Sequence, residues 1–238
     1  MNFKLTLYNN TTTIRRVMAH ALLAVTTLLP GCGETSPASS SALMGPTPVI
    51  FSIGDSVTQG WTPFAAVKTE GKVIWHRLSG SADGTWPENA RNTHYTLSNV
   101  KQWLGYYPRI DVLFWNNGVW DASKPNPNEP ADHYEMTDDE YRSNLVEIAK
   151  AMTQKARKVY FLTTTPLDPS DINEERPARE RGFNKIAKEV LPPLGVEIID
   201  LHAFVLKHPD WHAGNDLHFN GYGNEYISEY LVHEVLKL

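Results

Sequence analysis

Five short apolar runs alternate with stretches of helical period, and this alternation narrows the possible folds more than any other feature of the chain. The runs are Val49 to Ile53, Lys72 to Leu78, Asp111 to Trp115, Lys158 to Thr164 and Val196 to Leu201. Their length and their Val, Ile and Phe content suit strands buried on both faces of a parallel sheet. Between them, Thr62-Pro63 predicts a short helix ending near Gly71, with Thr as cap and Pro at the first helical position. Tyr95 to Leu104 carries Leu97, Val100, Trp103 and Leu104 at helical spacing, and Asp138 to Lys155 carries Leu145, Ile148, Ala149 and Met152 on one face. Ala178 to Leu191 reads as helix up to Pro192-Pro193-Leu194-Gly195, and a last helix runs from about Gly223 to Leu236. Alternation of this kind implies βαβ units, helices on both faces of the sheet and all strand carboxyl ends on one edge. A chain of 238 residues, 41% hydrophobic and 21% charged, fits one such domain.

The first 32 residues stand apart. Lys4, Arg15 and Arg16 precede a mostly apolar stretch, Val17 to Leu29, too short to span a bilayer but suited to a secretory signal. It ends in Leu29-Pro30-Gly31-Cys32, which resembles a bacterial lipobox. That resemblance implies cleavage before Cys32, leaving residues 1–31 as signal peptide and placing a lipid on the Cys32 thiol and new amino group. Cys32 is the single cysteine, so the body can hold neither an internal disulfide nor a thiol nucleophile. Gly33 rather than Asp after it favours the outer membrane where the envelope has one. Residues 32–47 are small and polar and predict a flexible tether, with the folded domain at 48–238. The expected location is therefore a bacterial cell envelope, through a lipid anchor, or the exterior if the chain is not lipidated.

The leader holds three basic and no acidic residues, which leaves 19 basic against 27 acidic, a charge of −8, on the remainder. Nucleic-acid binding needs clustered Lys and Arg, so that partner class is not expected. Arg176 to Lys188 is mildly basic, but Glu174, Glu175, Glu180 and Glu189 offset it, and it reads as a solvated helix face. Metal is not expected either: His202, His208, His212 and His218 are accompanied by no HExxH and no carboxylate-rich helix.

The runs end in residues that carry chemistry. Val49 to Ile53 stops at Gly54-Asp55-Ser56; Asp111 to Trp115 runs into Asn116-Asn117-Gly118; Lys158 to Thr164 continues to Thr165; and Asp216-Leu217-His218 lies in a late loop. In an α/β sheet these positions converge on the ligand-binding edge. Ester hydrolysis by serine needs a nucleophile, a base, an orienter for the base and donors for the oxyanion. Ser56 and His218 are candidates for the first two. No Gly-x-Ser-x-Gly elbow surrounds Ser56.

Phe51-Ser-Ile-Gly-Asp-Ser56 resembles the first block of the SGNH hydrolases, also called GDSL esterases/lipases. Trp115-Asn-Asn-Gly-Val-Trp-Asp121 resembles their third block and Asp216-Leu-His-Phe-Asn-Gly-Tyr222 their fifth, while Thr163-Thr-Thr-Pro166 and Phe183-Asn-Lys-Ile-Ala187 resemble linking segments. The resemblance spans about residues 48–238. It implies a flavodoxin-like single-domain α/β/α sandwich with a five-stranded parallel sheet, no cofactor and hydrolysis of carboxylic esters. It also implies roles: Ser56 as nucleophile, His218 as base, Asp216 or Asn215 as orienter, and the N–H groups of Ser56 and Arg91 with the side chain of Asn116 or Asn117 as oxyanion hole. There are departures. Arg91 stands for Gly in the second block, Asn89 to Thr93; Trp120 stands at the usual oxyanion Asn, for which some branches substitute the Asn matched by Asn116; and Asn215 stands three residues before His218. Asp55 and Asp121 read as backbone-capping residues.

Trp75, Trp103 and Trp115 fall on strand or helix faces and are expected in the core. Trp120 is a candidate for stacking on a sugar ring, and Trp61 and Trp211, read as loop residues, share that role more weakly. The substrate preferred on these grounds is a short acyl ester on a carbohydrate. The alternatives are a fatty-acyl ester and a degenerate scaffold that holds glycan without cleaving it. The sequence leaves the oligomeric state open.

Overall fold

The computed structural model describes residues 46–123, 136–167, 175–214 and 216–238. The expected signal peptide, most of the tether, Cys32 and Asn215 lie outside the described residues. The chain divides into two units, residues 1–43 and Met44–Leu238, and everything described belongs to the second.

Five strands form one parallel sheet: β1 (Val49–Ile53), β2 (Ile74–Arg77), β3 (Ile110–Trp115), β4 (Ala156–Leu162) and β5 (Val196–Ile199), in the order β2-β1-β3-β4-β5. Ile53 lies opposite Trp115, Trp115 opposite Phe161, and Leu162 opposite Ile199, so the carboxyl ends stay level across the sheet. Successive side chains in a strand point to opposite faces, and the two apolar cores divide accordingly. Phe51, Ile53, Leu113, Trp115, Val159 and Phe161 pack with α2 (Thr93–Gly105), α3 (Asp138–Lys155) and α4 (Glu175–Val190). Ile50, Phe114, Tyr160 and Leu162 pack with α1 (Ser56–Lys68), α5 (Leu201–Val205) and α6 (Gly221–Tyr230), which continues as a π turn, Leu231–Leu236. This is the expected three-layer α/β/α sandwich. Among the described residues no helix is long and apolar enough to cross a membrane.

α3 has the predicted bounds, and its start is fixed by a capping box between Thr137 and Glu140. α1 differs. It begins at Ser56, six residues before Thr62-Pro63, because Asp55 caps it: Asp55 Oδ1 accepts from the Val57 N–H at 2.9 Å and the Asp55 carbonyl from Gln59 N–H at 3.0 Å. Pro63 sits inside the helix on its exposed side, where the missing N–H faces solvent rather than the sheet, and Val57, Trp61 and Ala65 bury the opposite side. Trp61 is therefore a core residue, 0% exposed, and not a loop tryptophan at the site. Trp211 is likewise buried, in a 3-10 turn (Pro209–Trp211), with its ring stacked on His208 at 3.9 Å. Trp103 and Trp115 are buried as expected, while Trp75 is half-buried and stacks on Phe114 at 5.9 Å.

Gly118 ends the turn after β3 with φ +147°, and a Cβ there would meet Thr164 Oγ1 at 2.0 Å. Both the backbone angle and the space demand glycine. Gly118→Ala is expected to destabilise the fold by about 2–3 kcal/mol, read as a lower urea midpoint at unchanged slope. A loss under about 0.5 kcal/mol would mean that the turn tolerates a Cβ.

Candidate active site

The order β2-β1-β3 reverses the direction of chain progression between β1 and β3, which opens a crevice at their carboxyl ends. Ser56 follows β1 and Asn116 follows β3; the Asn116 N–H donates to the Ile53 carbonyl at 3.0 Å, so the two segments leave the sheet side by side. As the first residue of α1, Ser56 has a backbone N–H that no intrahelical carbonyl can accept.

His218 comes from the far end of the chain. Its loop is held by antiparallel pairing of His212 with Phe219, by Ala213 N–H to the His218 carbonyl (2.8 Å) and by Asn220 N–H to the Trp211 carbonyl (2.8 Å). Asn220 caps α6, which packs on α1 where Gly60 leaves room for the Asn224 side chain. This contact delivers His218 to the first turn of α1: His218 Nε2 lies 2.7 Å from Ser56 Oγ. On the other side of the ring, His218 Nδ1 lies 2.9 Å from Asp216 Oδ2, and the His218 N–H donates to Asp216 Oδ1 at 3.4 Å. The tautomer that satisfies both ring contacts has Nδ1 protonated and Nε2 accepting the Ser56 hydroxyl proton. Hydrogen bonding from His218 holds the Asp216 carboxyl below its ordinary range. The side chains of His218 and Asp216 are 43% and 52% exposed, so this arrangement lies open at the surface.

The expected oxyanion donors separate into two groups. Asn116 is buried, and its Nδ2 donates to the Leu162 carbonyl at 2.9 Å, which engages one of its two amide hydrogens. Asn117, the alternative, is committed to structure: Oδ1 accepts from Trp115 Nε1 (2.6 Å), Nδ2 donates to the Arg91 carbonyl (2.9 Å), and its own carbonyl accepts from Tyr141 Oη and Thr164 Oγ1 (both 3.0 Å). Arg91 does occupy the left-handed conformation that its glycine-like position demands, with φ +51°. Its N–H, however, already donates to Asn89 Oδ1 at 2.7 Å. The Asn89 side chain thus closes a two-residue turn onto the N–H that the family resemblance assigns to the oxyanion hole. Trp120 is half-buried and packs against the larger core.

Asp55 and Asp121 cap, as expected, but both are wholly enclosed. Thr93 gives its N–H (2.8 Å) and hydroxyl (2.7 Å) to Asp121 Oδ1, which ties α2 to the turn after β3. The Oδ2 atom of each aspartate is buried with no hydrogen-bond partner. Burial pushes Asp55 up to about 6, against the lowering effect of the Val57 and Thr58 N–H groups and His218. Burial, with repulsion from Asp55, pushes Asp121 up to about 7 although Thr93 opposes the shift.

The reading from sequence did not single out Trp86. It is 72% exposed in the loop after β2, and that loop is stitched to the Ser56 turn by Gln59 Nε2 to the Glu88 carbonyl (2.6 Å) and by Ala90 N–H to the Gly54 carbonyl (3.1 Å). Nothing in its periodicity marked it, since it sits in an irregular loop. Among the described residues no group of three or more His, Cys, Asp or Glu could hold a metal ion.

Comparison with known proteins gives the family and the fold. The model of the GDSL-like lipase/acylhydrolase family matches residues 52–226, and the chain belongs to that family. Solved structures that share its fold include a lipase/acylhydrolase from Enterococcus faecalis, with 21% identity, TM-score 0.56, 79% of this chain covered and 95% of that one. Another is an acetylxylan esterase from Geobacillus stearothermophilus, with 12% identity, TM-score 0.61 and coverage of 80% and 94%. A third, a member of the lipolytic G-D-S-L family from Veillonella parvula, has 16% identity, TM-score 0.58 and coverage of 80% and 99%. Catalytic mutants of the Geobacillus esterase, changed at a serine, an aspartate or a histidine, have the same fold. No curated protein sequence matches this one.

The two buried aspartates give a pH signature. Their folded values lie above the ordinary 3.8, so the folded state binds more protons than the unfolded chain between about pH 4 and 7. Their contribution to stability is greatest near pH 4, falls as pH rises through 6 to 7 and is level above. Asp121→Asn, which keeps an oxygen for Thr93, is expected to flatten this fall in urea unfolding measured from pH 4.5 to 8. An identical slope in wild type and variant would show that Asp121 does not titrate in that window.

Proposed function

We propose that this member of the GDSL-like family is a serine hydrolase of carboxylic esters, with short acyl esters on carbohydrate as its substrates. The observation that carries the proposal is the unbroken line of contacts from Ser56 Oγ to His218 Nε2 (2.7 Å) and from His218 Nδ1 to Asp216 Oδ2 (2.9 Å). His218 takes the Ser56 proton as Oγ attacks the ester carbonyl carbon. The carbonyl electron pair moves onto oxygen, where the Ser56 N–H and the second amide hydrogen of Asn116 stabilise it. Collapse of the tetrahedral intermediate expels the alcohol, which takes the proton from His218 and leaves an acyl-Ser56. Water, deprotonated by His218, then attacks the acyl carbon and releases the acid and Ser56. Asp216 holds the imidazole and stabilises its charged form in both half-reactions. Arg91 contributes its N–H only by exchanging Asn89 Oδ1 for the oxyanion.

An ester on a large, solvated alcohol suits a surface triad better than a long acyl chain, which needs an enclosed apolar tunnel to gain from burial. The exposed ring of Trp86, on the loop fastened to the Ser56 turn, and the half-buried Trp120 offer faces on which a sugar can stack. The fold shared with an acetylxylan esterase supports the same class. The proposal includes attachment to a bacterial envelope membrane through a lipid at Cys32, on the strength of Leu29-Pro30-Gly31-Cys32 after an apolar stretch.

Ser56→Ala is expected to abolish turnover of a short-chain aryl ester and labelling by a serine-directed fluorophosphonate. Unlabelled wild-type protein that nonetheless retains glycan would instead establish a non-hydrolytic scaffold. Asn116→Ala is expected to lower kcat by about 10²–10³-fold, with Asn117→Ala acting mainly on stability; a change under about threefold at Asn116 removes it from the oxyanion hole. Activity that rises steadily with acyl chain length would overturn the preference for short acyl groups. In bacteria fed a radiolabelled fatty acid, the wild-type chain is expected to take up label and Cys32→Ser is not. Equal labelling of the two would rule out an anchor at Cys32.

A further inference from the structure

Helix α4 supplies no member of the Ser56–His218–Asp216 line, yet two of its consecutive side chains brace the turn that carries Asn116. The next residue in that turn, Asn117, has a carbonyl that accepts twice, from Tyr141 Oη and from Thr164 Oγ1, both at 3.0 Å. Each donor is backed by α4. The Tyr141 ring stacks on Phe183, with centroids 4.3 Å apart and planes at 24°. Thr164 is clasped by Asn184, whose Oδ1 accepts from the Thr164 N–H and whose Nδ2 donates to the Thr164 carbonyl, both at 2.8 Å. The other amide hydrogen of Asn184 goes to Glu180 Oε1 at 2.6 Å, and Glu180 pairs with His202 Nε2 at 3.3 Å. Tyr141, Thr164, Glu180, Phe183 and Asn184 are all buried. A buried network in which the donors are used in this way holds its members to one geometry.

That geometry bears on where Asn116 points. The ladder between β3 and β4 ends with Trp115 opposite Phe161, so beyond it side chains must do what strand pairing no longer does. Asn116 Nδ2 donates one hydrogen to the Leu162 carbonyl at 2.9 Å. The carboxamide is planar with two hydrogens on one nitrogen, so the bond to Leu162 sets the direction of the second. Leu162 ends β4, and Thr164 lies two residues further on. The clasp on Thr164 therefore anchors both supports of Asn116. Its hydroxyl holds the turn after β3, and its backbone holds the segment that leads out of Leu162. An oxyanion donor is effective only within a few tenths of an ångström of its proper place, so slack at Thr164 would be felt at Asn116.

We propose that Asn184 is a positioning residue for the oxyanion hole: acting through Thr164, it holds the second amide hydrogen of Asn116 toward the developing oxyanion without touching the substrate. The inference rests on the esterase reading for what Asn116 does, but the order of the Asn116 amide can be measured without turnover.

The test pairs kinetics on a short-chain aryl ester with NMR relaxation of side-chain amides. Asn184→Ala is expected to lower kcat by about 10–100-fold with KM unchanged. In the Asn116→Ala background the same substitution is expected to cost less than about twofold, because the group it aims is gone. By NMR, Asn184→Ala is expected to loosen the Asn116 amide and leave that of Asn224, held by the Phe219 and Asn220 carbonyls, as it was. Because Asn184→Ala also unpairs two buried backbone groups, Thr164→Ala and Thr164→Ser are made beside it. Thr164→Ala is expected to lower kcat in the same way, and Thr164→Ser, which keeps the hydroxyl, to restore it. An unchanged kcat in Asn184→Ala and Thr164→Ala, or an equal loss with and without Asn116, would overturn the positioning role. Wild-type protein without Ser56-dependent turnover, whose Asn116 amide is nonetheless loosened by Asn184→Ala, would overturn the esterase reading and leave the brace standing.

Discussion

A parallel sheet has no hairpins, so each connection must cross a face and return to start the next strand at the same end. That constraint governs this molecule. All five carboxyl ends fall on one edge, and the residues that follow them are Ser56, Asn116 and Thr163-Thr164, with His202 one residue into the helix that follows β5. Positions far apart in sequence become neighbours because the chain has no other way to pair its strands. His218 is the exception, since it follows no strand. It reaches Ser56 through the packing of α6 on α1, where Gly60 admits Asn224 and Gly223 lies so close to Trp211 that a Cβ would meet its carbonyl at 2.7 Å. The contact between Ser56 and His218 thus rests on two separate devices, sheet pairing for Ser56 and helix packing for His218.

Holding Ser56 on the first turn of a helix costs the molecule a buried carboxylate. Asp55 caps α1 with one oxygen and leaves the other unpartnered, and Asp121 does the same one strand away. Both repel the ionised form of the other's carboxyl group. Stability is therefore traded for a fixed geometry, as is usual where local structure serves a site. The same trade accounts for Arg91. A side chain at φ +51° is strained, yet the segment around it is overdetermined by Asn89 Oδ1 on its N–H, Asn117 Nδ2 on its carbonyl and the Tyr95 ring 4.4 Å from its guanidinium.

Much of this was legible in the sequence because the fold is written in periodicities. Apolar runs gave the strands to within two or three residues, and the spacing of Leu145, Ile148, Ala149 and Met152 gave α3. Gly-Asp-Ser and Asp-x-His could be picked out as candidates from residue type and chain position, and the fold brings Ser56, His218 and Asp216 within hydrogen-bond distance. What could not be read depends on three-dimensional company. Pro63 signalled a helix start, but a buried cap at Asp55 outweighed it. Trp61 and Trp120 look alike in a sequence, and only the sheet determines that one is enclosed. Asn116 and Asn117 are adjacent and chemically identical, and their separation follows from which carbonyls lie within reach of each amide. The α4 basic residues looked like a solvated face because their acidic neighbours, counted along the chain, offset them. In space Glu180 turns inward to Asn184 and His202 and Glu189 turns to Arg142, which a count along the chain does not reveal.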